Sequence, residues 1–309
     1  MKREPLSGPL LGILCKLGAV MGFITMSIIL KITAPLVPTG EQVFFRSLFA
    51  IPVTLTWLAM RGDLRTGLRV ASPMGHIWRG IAGTTAMGMG FAALGILPLP
   101  EATAISFATP LLMVVFAAMF LGEEVRAFRF SAVVIGLIGV LIILSPRLNG
   151  LGDARQTLGA SLALTGAVFA ALAQIFIRKL TATETTSAIV FWFSFTAAIL
   201  SLVTAPFGWV MPSAGTAALL ICAGIIGGIS QILLTSAFRF ADASIIAPFE
   251  YSAMLMALLV GYVMFDETPT PVMLSGAALV MVAGGIIIWR ERALGIERAK
   301  TRKAGAPTV

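Results

Sequence analysis

The sequence predicts an all-α integral membrane protein of about ten transmembrane helices, arranged as two inverted five-helix repeats with both termini in the cytoplasm. Three observations lead there. The 309 residues are 58% hydrophobic and only 12% charged, with a mean hydropathy of +0.97, too little polar surface to cover a soluble globule. A motif recurs: Gly18-Ala19-Val20 precedes Lys31-Ile32-Thr33 as Gly166-Ala167-Val168 precedes Lys179-Leu180-Thr181, with an offset of 148 at both ends. The basic residues sort between alternate loops, as the positive-inside rule requires of an even number of spans.

Apolar runs of about 17 to 22 residues, long enough to cross a hydrocarbon core of roughly 30 Å, follow in order. In the first half they lie near 10–30, 42–60, 76–96, 102–121 and 130–145; in the second, near 158–177, 187–206, 215–236, 244–264 and 272–289. The first follows Lys2 and Arg3 without a small-x-small cleavage pattern and reads as an uncleaved span. The second opens on Glu41 and the third on Trp78-Arg79. The fourth begins at Glu101-Ala102, contains Pro110 and ends at Leu121-Gly122-Glu123-Glu124; a glycine-rich fifth closes on Gly139 to Ile143.

The second half repeats that order. Asp242-Ala243 opens a span that contains Pro248 and ends at Phe265-Asp266-Glu267, and the last span closes on Gly285 to Ile288. Pro146, Asn149, Gly150, Gly152 and Asp153 form the connector, so the expected units are 8–146, 157–290 and a basic cytoplasmic tail, 291–309. Five spans is an odd number, so the second unit enters the membrane from the opposite side. Gly18 with Gly22, and Gly224 with Gly228, are GxxxG pairs that pack helices closely, within one chain or between two as a homodimer.

The net charge of +8 is a matter of topology and not of nucleic-acid binding. Arg61, Arg65, Arg69, Arg126, Arg129, Arg178, Lys179, Arg239 and the tail fall on the cytoplasmic side, against Lys31, Arg147 and Arg155 opposite. Cys15 and Cys222 fall in spans and His76 is the only histidine, so no metal site, cofactor or disulfide framework is indicated. There is no H-E-x-x-H, G-x-S-x-G or P-loop, and no polar segment exceeds about 20 residues. An intramembrane enzyme and an ATP-driven pump are therefore disfavoured, and duplicated membrane bundles are usually carriers.

Two five-span units, each closing on an acidic turn (Leu121-Gly122-Glu123, Phe265-Asp266-Glu267) and then a glycine-rich span, resemble the EamA-type branch of the drug/metabolite transporter superfamily. Ala247-Pro248-Phe249-Glu250-Tyr251 followed by Gly261-Tyr262 is similar to bacterial members of that branch. The resemblance implies a ten-span carrier of the bacterial inner membrane with a central cavity, working by alternating access without ATP. Its relatives carry amino acids, nucleotide sugars, riboflavin, S-adenosylmethionine and other metabolites, so the cargo stays open.

Ionisable groups within spans are site candidates by default. Arg46 offers a fixed planar cation to a carboxylate, phosphate or imide, or else pairs with Glu41, which otherwise guards the mouth or takes a proton. Glu250, beside Pro248, is the first candidate for proton coupling, and Lys16 is deep enough to meet it. Tyr251 offers stacking surface. Trp78 and Arg79 are candidate contacts but read more simply as a helix anchor; Gln174 and Gln231 are mid-span amides that bond cargo or a neighbouring helix. The expected partners are the lipid bilayer, protons and a small metabolite, either a flat heteroaromatic such as riboflavin or an amino acid.

Overall fold

The computed structural model describes residues 8–64, 66–121, 127–148, 153–241 and 246–304. It contains α1 (Gly8–Thr33), α2 (Thr39–Met60), α3 (Pro73–Leu94), α4 (Leu99–Ser106), α5 (Ala108–Leu121), α6 (Ala127–Leu148), α7 (Ala154–Leu180), α8 (Thr186–Leu202) and α9 (Ala214–Phe240). A 3₁₀ turn, Ala247–Tyr251, then leads into α10 (Ser252–Phe265) and α11 (Pro271–Ala304). No strand occurs among the described residues. Segments Pro9–Thr33, Thr39–Met60, Leu99–Phe120, Ala154–Leu180 and Ala214–Phe240 are long and apolar enough to cross a membrane, and four further apolar helices are shorter.

Helix ends follow local chemistry. Asp153, Thr185 and Ser213 cap α7, α8 and α9 by accepting from backbone N–H groups of the first turn. The expected single span 102–121 is interrupted at Phe107. Pro110 has no N–H for the carbonyl of Ser106 and its ring crowds that carbonyl, so α4 ends and α5 restarts. The matching region of the second half is interrupted too, by the 3₁₀ turn, and the interruptions meet where Phe107 and Tyr251 stand edge to face, 5.3 Å between centroids. The helix of the expected tail continues to Ala304. The acidic turn at 122–126, the connector at 149–152 and Asp242-Ala243 lie outside the described residues.

The packing is two-fold symmetric in pattern. α1 lies along α9 as α7 lies along α3; α2 packs on α8, and α6 on α11. Within α1 and α9, Gly18 faces Leu233 and Gly22 faces Ser230; between α2 and α9, Gly224 meets Phe49 and Gly228 meets Ala50. Both GxxxG pairs are thus used inside one chain. At the α6–α11 crossing, a Cβ on Gly139 would sit 2.8 Å from the carbonyl oxygen of Gly276, and one on Gly276 would sit 2.6 Å from that of Gly139. Backbone cannot retreat as a side-chain tip can. Gly139→Val is therefore expected to cost about 1–3 kcal/mol and to lower the Tm of the detergent-solubilised protein, measured by differential scanning fluorimetry, whereas Gly88→Val, with open space around it, leaves Tm unchanged.

Candidate functional site

Among the described residues, Lys16, Lys31, Arg46 and Arg79 are cations buried or largely buried within the bundle, and the structure compensates two of them. Lys16, 4% exposed at its side chain, is 3.3 Å from Oε2 of Glu250, which joins α1 to the 3₁₀ turn before α10. Lys31 lies 2.8 Å from Oε1 of Glu267 and donates to the Leu97 carbonyl at 2.7 Å. Glu267 accepts the Leu99 N–H at 2.8 Å, so one cluster ties the ends of α1 and α10 to the start of α4. The turn that delivers Glu267 uses Asp266 at φ 52°, a left-handed conformation that Asp tolerates.

Arg46 and Arg79 have no such partner. They are 2% and 4% exposed, and Nε and Nη1 of each have no hydrogen-bond partner. Their guanidinium carbons stand 5.4 and 3.9 Å from the ring centroid of Phe193 on α8. Two glycines make this room: a Cβ on Gly83 would strike Arg79 Nη1 and the Phe193 ring, and one on Gly227 would lie 3.1 Å from Arg46 Nε. The hydroxyls of Ser47, Thr84 and Ser194, next in sequence to Arg46, Gly83 and Phe193, are also buried without a partner. Cation–π contact is worth about 0.5–2 kcal/mol per pair, less than the several kcal/mol that a buried charge costs.

Arg46 lies about 10 Å in from the start of α2, and Arg79 about 9 Å in from the start of α3 at the opposite end of the bundle, so their side chains converge from two levels. Arg46 and Glu41, five residues apart, point about 140° away from each other around α2 and do not pair. Glu41, 1% exposed, instead accepts the Val210 N–H at 3.1 Å from the loop before α9. The expected anchor separates into two roles: Trp78 is 51% exposed on the outer surface, while Arg79, the next residue round the helix, is buried.

Two cavities of about 220 Å³ each flank α7. One is lined by Ser27, Ala86, Gly90, Ser106, Thr109 and Ala170, the other by Met113, Gln174, Arg178, Thr181, Leu234 and Phe238. Thr109 and Met113 are one turn apart on α5, as are Ala170 and Gln174 on α7, so the cavities stack end to end. Ala86 and Gly90 share the face of α3 that carries Arg79. Gln174 thus lines a cavity, while Gln231 is buried in α9. Tyr251 packs against Phe107 and its hydroxyl end abuts Gly284.

At the end where α3 starts, Glu184 closes the bundle. Its Oε1 accepts from the N–H groups of Ala71 and Ser72 at 2.7 and 2.8 Å, and its backbone carbonyl accepts from Arg239 at 2.7 Å. His76 Nε2 stands 3.4 Å from the same carboxylate without hydrogen-bond geometry. Thr185 and Ser187 donate to the Gly67 carbonyl, and Trp192 to that of Leu68. Sequence reasoning missed this clamp, the Lys31–Glu267 cluster and Phe193. Lys31 recurs as Lys179 and Glu267 as Glu123 in the sequence repeat, which was a usable signal; Phe193, an apolar residue in an apolar span, gave none.

A two-fold helical bundle with buried cations, stacked internal cavities and membrane-length apolar helices defines a multi-pass membrane transport protein. The chain belongs to the EamA-like transporter family, which matches it twice, over residues 10–145 and 157–289. It is 31% identical over 276 residues to a pseudopaline exporter of Pseudomonas aeruginosa, covering 88% of this chain and 94% of the relative. To an S-adenosylmethionine uptake transporter of Rickettsia bellii it is 29% identical, covering 82% and 84%. To a riboflavin transporter of Rhizobium johnstonii it is 28% identical, covering 82% of each. A crystal structure with 22% identity superposes with a TM-score of 0.66 over 89% of this chain and 96% of the other, the same fold.

Removing Glu250 leaves Lys16 buried beside an uncharged group, whereas removing both charges leaves none to compensate. Glu250→Gln alone is therefore expected to lower Tm more than the double variant Lys16→Met/Glu250→Gln, compared by thermal unfolding in the same detergent.

Proposed function

We propose that the protein is a secondary-active carrier that moves a small organic metabolite across the bacterial inner membrane by alternating access, with ten spans and both termini in the cytoplasm. The observation that carries this reading is the pair of cavities stacked along α5 and α7, in a bundle whose repeats are joined at both ends by polar contacts. Lys31–Glu267 and Glu41–Val210 link the first repeat to the second at one end, and Glu184 with Ala71 and Ser72 does so at the other. Such contacts exchange with water when one end opens, so the repeats rock about the middle while the other end stays shut. The relatives named as an exporter and as uptake transporters support the class and differ in direction.

Within this class the cargo is a flat heteroaromatic such as riboflavin, or an amino acid or related metabolite. The unpaired guanidiniums of Arg46 and Arg79 favour the second. Glu250 is the first proton-coupling residue: it is about a third exposed and protonation would release Lys16 from its ion pair, so proton binding alters a contact between the repeats. Glu41, which holds a loop by a single backbone bond, is the second.

In proteoliposomes loaded with unlabelled riboflavin or amino acids, saturable counterflow of the labelled solute is expected for at least one of them; flux without saturation or counterflow would make the protein a pore. With a pH gradient imposed, Glu250→Gln is expected to keep counterflow while losing most gradient-driven accumulation. Accumulation equal to that of the parent protein would remove Glu250 from the coupling step.

A further inference from the structure

We infer that Arg46 and Arg79 form a binding site for a carboxylate, closed by Phe193 and Ser194, and that the cargo is a small organic acid carrying net negative charge. This deepens the carrier reading and rests on it. Two permanent cations lie over one ring, both buried, and none of the ion pairs among the described residues involves either of them. The other two cations of this kind each have a carboxylate of the chain itself, Lys16 through Glu250 and Lys31 through Glu267. A missing counter-charge at one place is the mark of a ligand that brings it.

The surroundings suit that ligand. Guanidinium forks match the two oxygens of a carboxylate and remain charged in the interior. Ser47, Thr84 and Ser194, next along the same helices from Arg46, Gly83 and Phe193, carry neutral hydroxyls that are unpartnered and buried or half-buried, the kind of group that hydrogen-bonds an anion without cancelling its charge. The Phe193 ring offers apolar surface to the rest of the molecule.

The repeat symmetry shows that the pair is an addition to the scaffold. The helix starts Thr39 and Thr186 put α2 and α8 in a register of 147, and the matching contacts Gly80–Thr196 and Gly224–Phe49 put α3 and α9 in one of 144. Arg46 then corresponds to Phe193, and Arg79 to Ala223. Neither cation has a charged counterpart. The cations belong to the first repeat while Phe193 and Ser194 belong to the second, so a bound anion ties the two units together.

The test uses the purified full chain and matched pairs at equal ionic strength: benzoate and benzamide, phthalate and phthalamide, succinate and succinamide, glutamate and glutamine. By isothermal titration calorimetry at least one acid is expected to bind at least tenfold more tightly than its amide. Arg46→Gln and Arg79→Gln should each reduce that preference at least tenfold. Arg46→Lys and Arg79→Lys, which keep the charge and lose the fork, should reduce it less and serve as the folded comparison if a Gln variant does not elute as a monodisperse peak. No acid binding more tightly than its amide, or a preference unchanged in folded variants at both positions, overturns the site. Saturable counterflow of an uncharged solute that ignores both arginines also overturns the site and leaves the carrier standing. Carboxylate binding at the arginines without saturable counterflow of any bound acid overturns the carrier reading and leaves the site.

Discussion

Charge inside an apolar bundle must be compensated, and the structure is organised around how that is done. A lysine or arginine surrounded by hydrocarbon costs several kcal/mol unless it meets a carboxylate, a row of carbonyls or a polar cavity. Lys31 meets all of its obligations at once, with Glu267 at 2.8 Å and the Leu97 carbonyl at 2.7 Å, and in doing so fastens the ends of three helices. Lys16 and Glu250 perform the same service nearer the opposite end. Against that background the paired arginines over Phe193 stand apart, held by ring faces and shaped space instead of by acid.

The space itself comes from small residues. Gly83 and Gly227 occupy equivalent places in the two repeats, each on the third helix and each facing the second helix of the other unit. One admits Phe193 together with Arg79, the other admits Arg46. The scaffold is thus symmetric in its backbone and in the small residues that let helices approach, and asymmetric in what fills the gap. A duplication supplies the repeated scaffold; divergence within it supplies chemistry.

Much of this was legible in the sequence, for physical reasons that differ residue by residue. The repeat and the helices could be read because lipid imposes length and hydropathy on each segment directly. Arg46 and the Lys16–Glu250 pairing were legible because a deep charge admits few explanations. Arg79 was not: Trp-Arg at the start of a span has the composition of a lipid anchor, and only the rotation of α3 decides that Trp78 faces outward and Arg79 inward. The interruption at Phe107 was half legible, since Pro110 signals a defect but packing determines whether the helix kinks or stops. Glu184 gives no signal from its own neighbourhood, because the N–H groups it accepts lie more than a hundred residues away.

The contacts that join the repeats at the two ends include hydrogen bonds and one ion pair at the ends of helices, beside apolar packing such as Phe44 on Trp209 and Leu97 on Gly159. A hydrophobic seam would have to expose its whole area on parting, with a free-energy cost that grows with every square ångström wetted. A carboxylate leaving two backbone N–H groups exchanges one set of polar partners for another, and the net change is about 1.5–3 kcal/mol per bond. The polar part of each junction therefore has new partners to take in water, which its apolar part lacks.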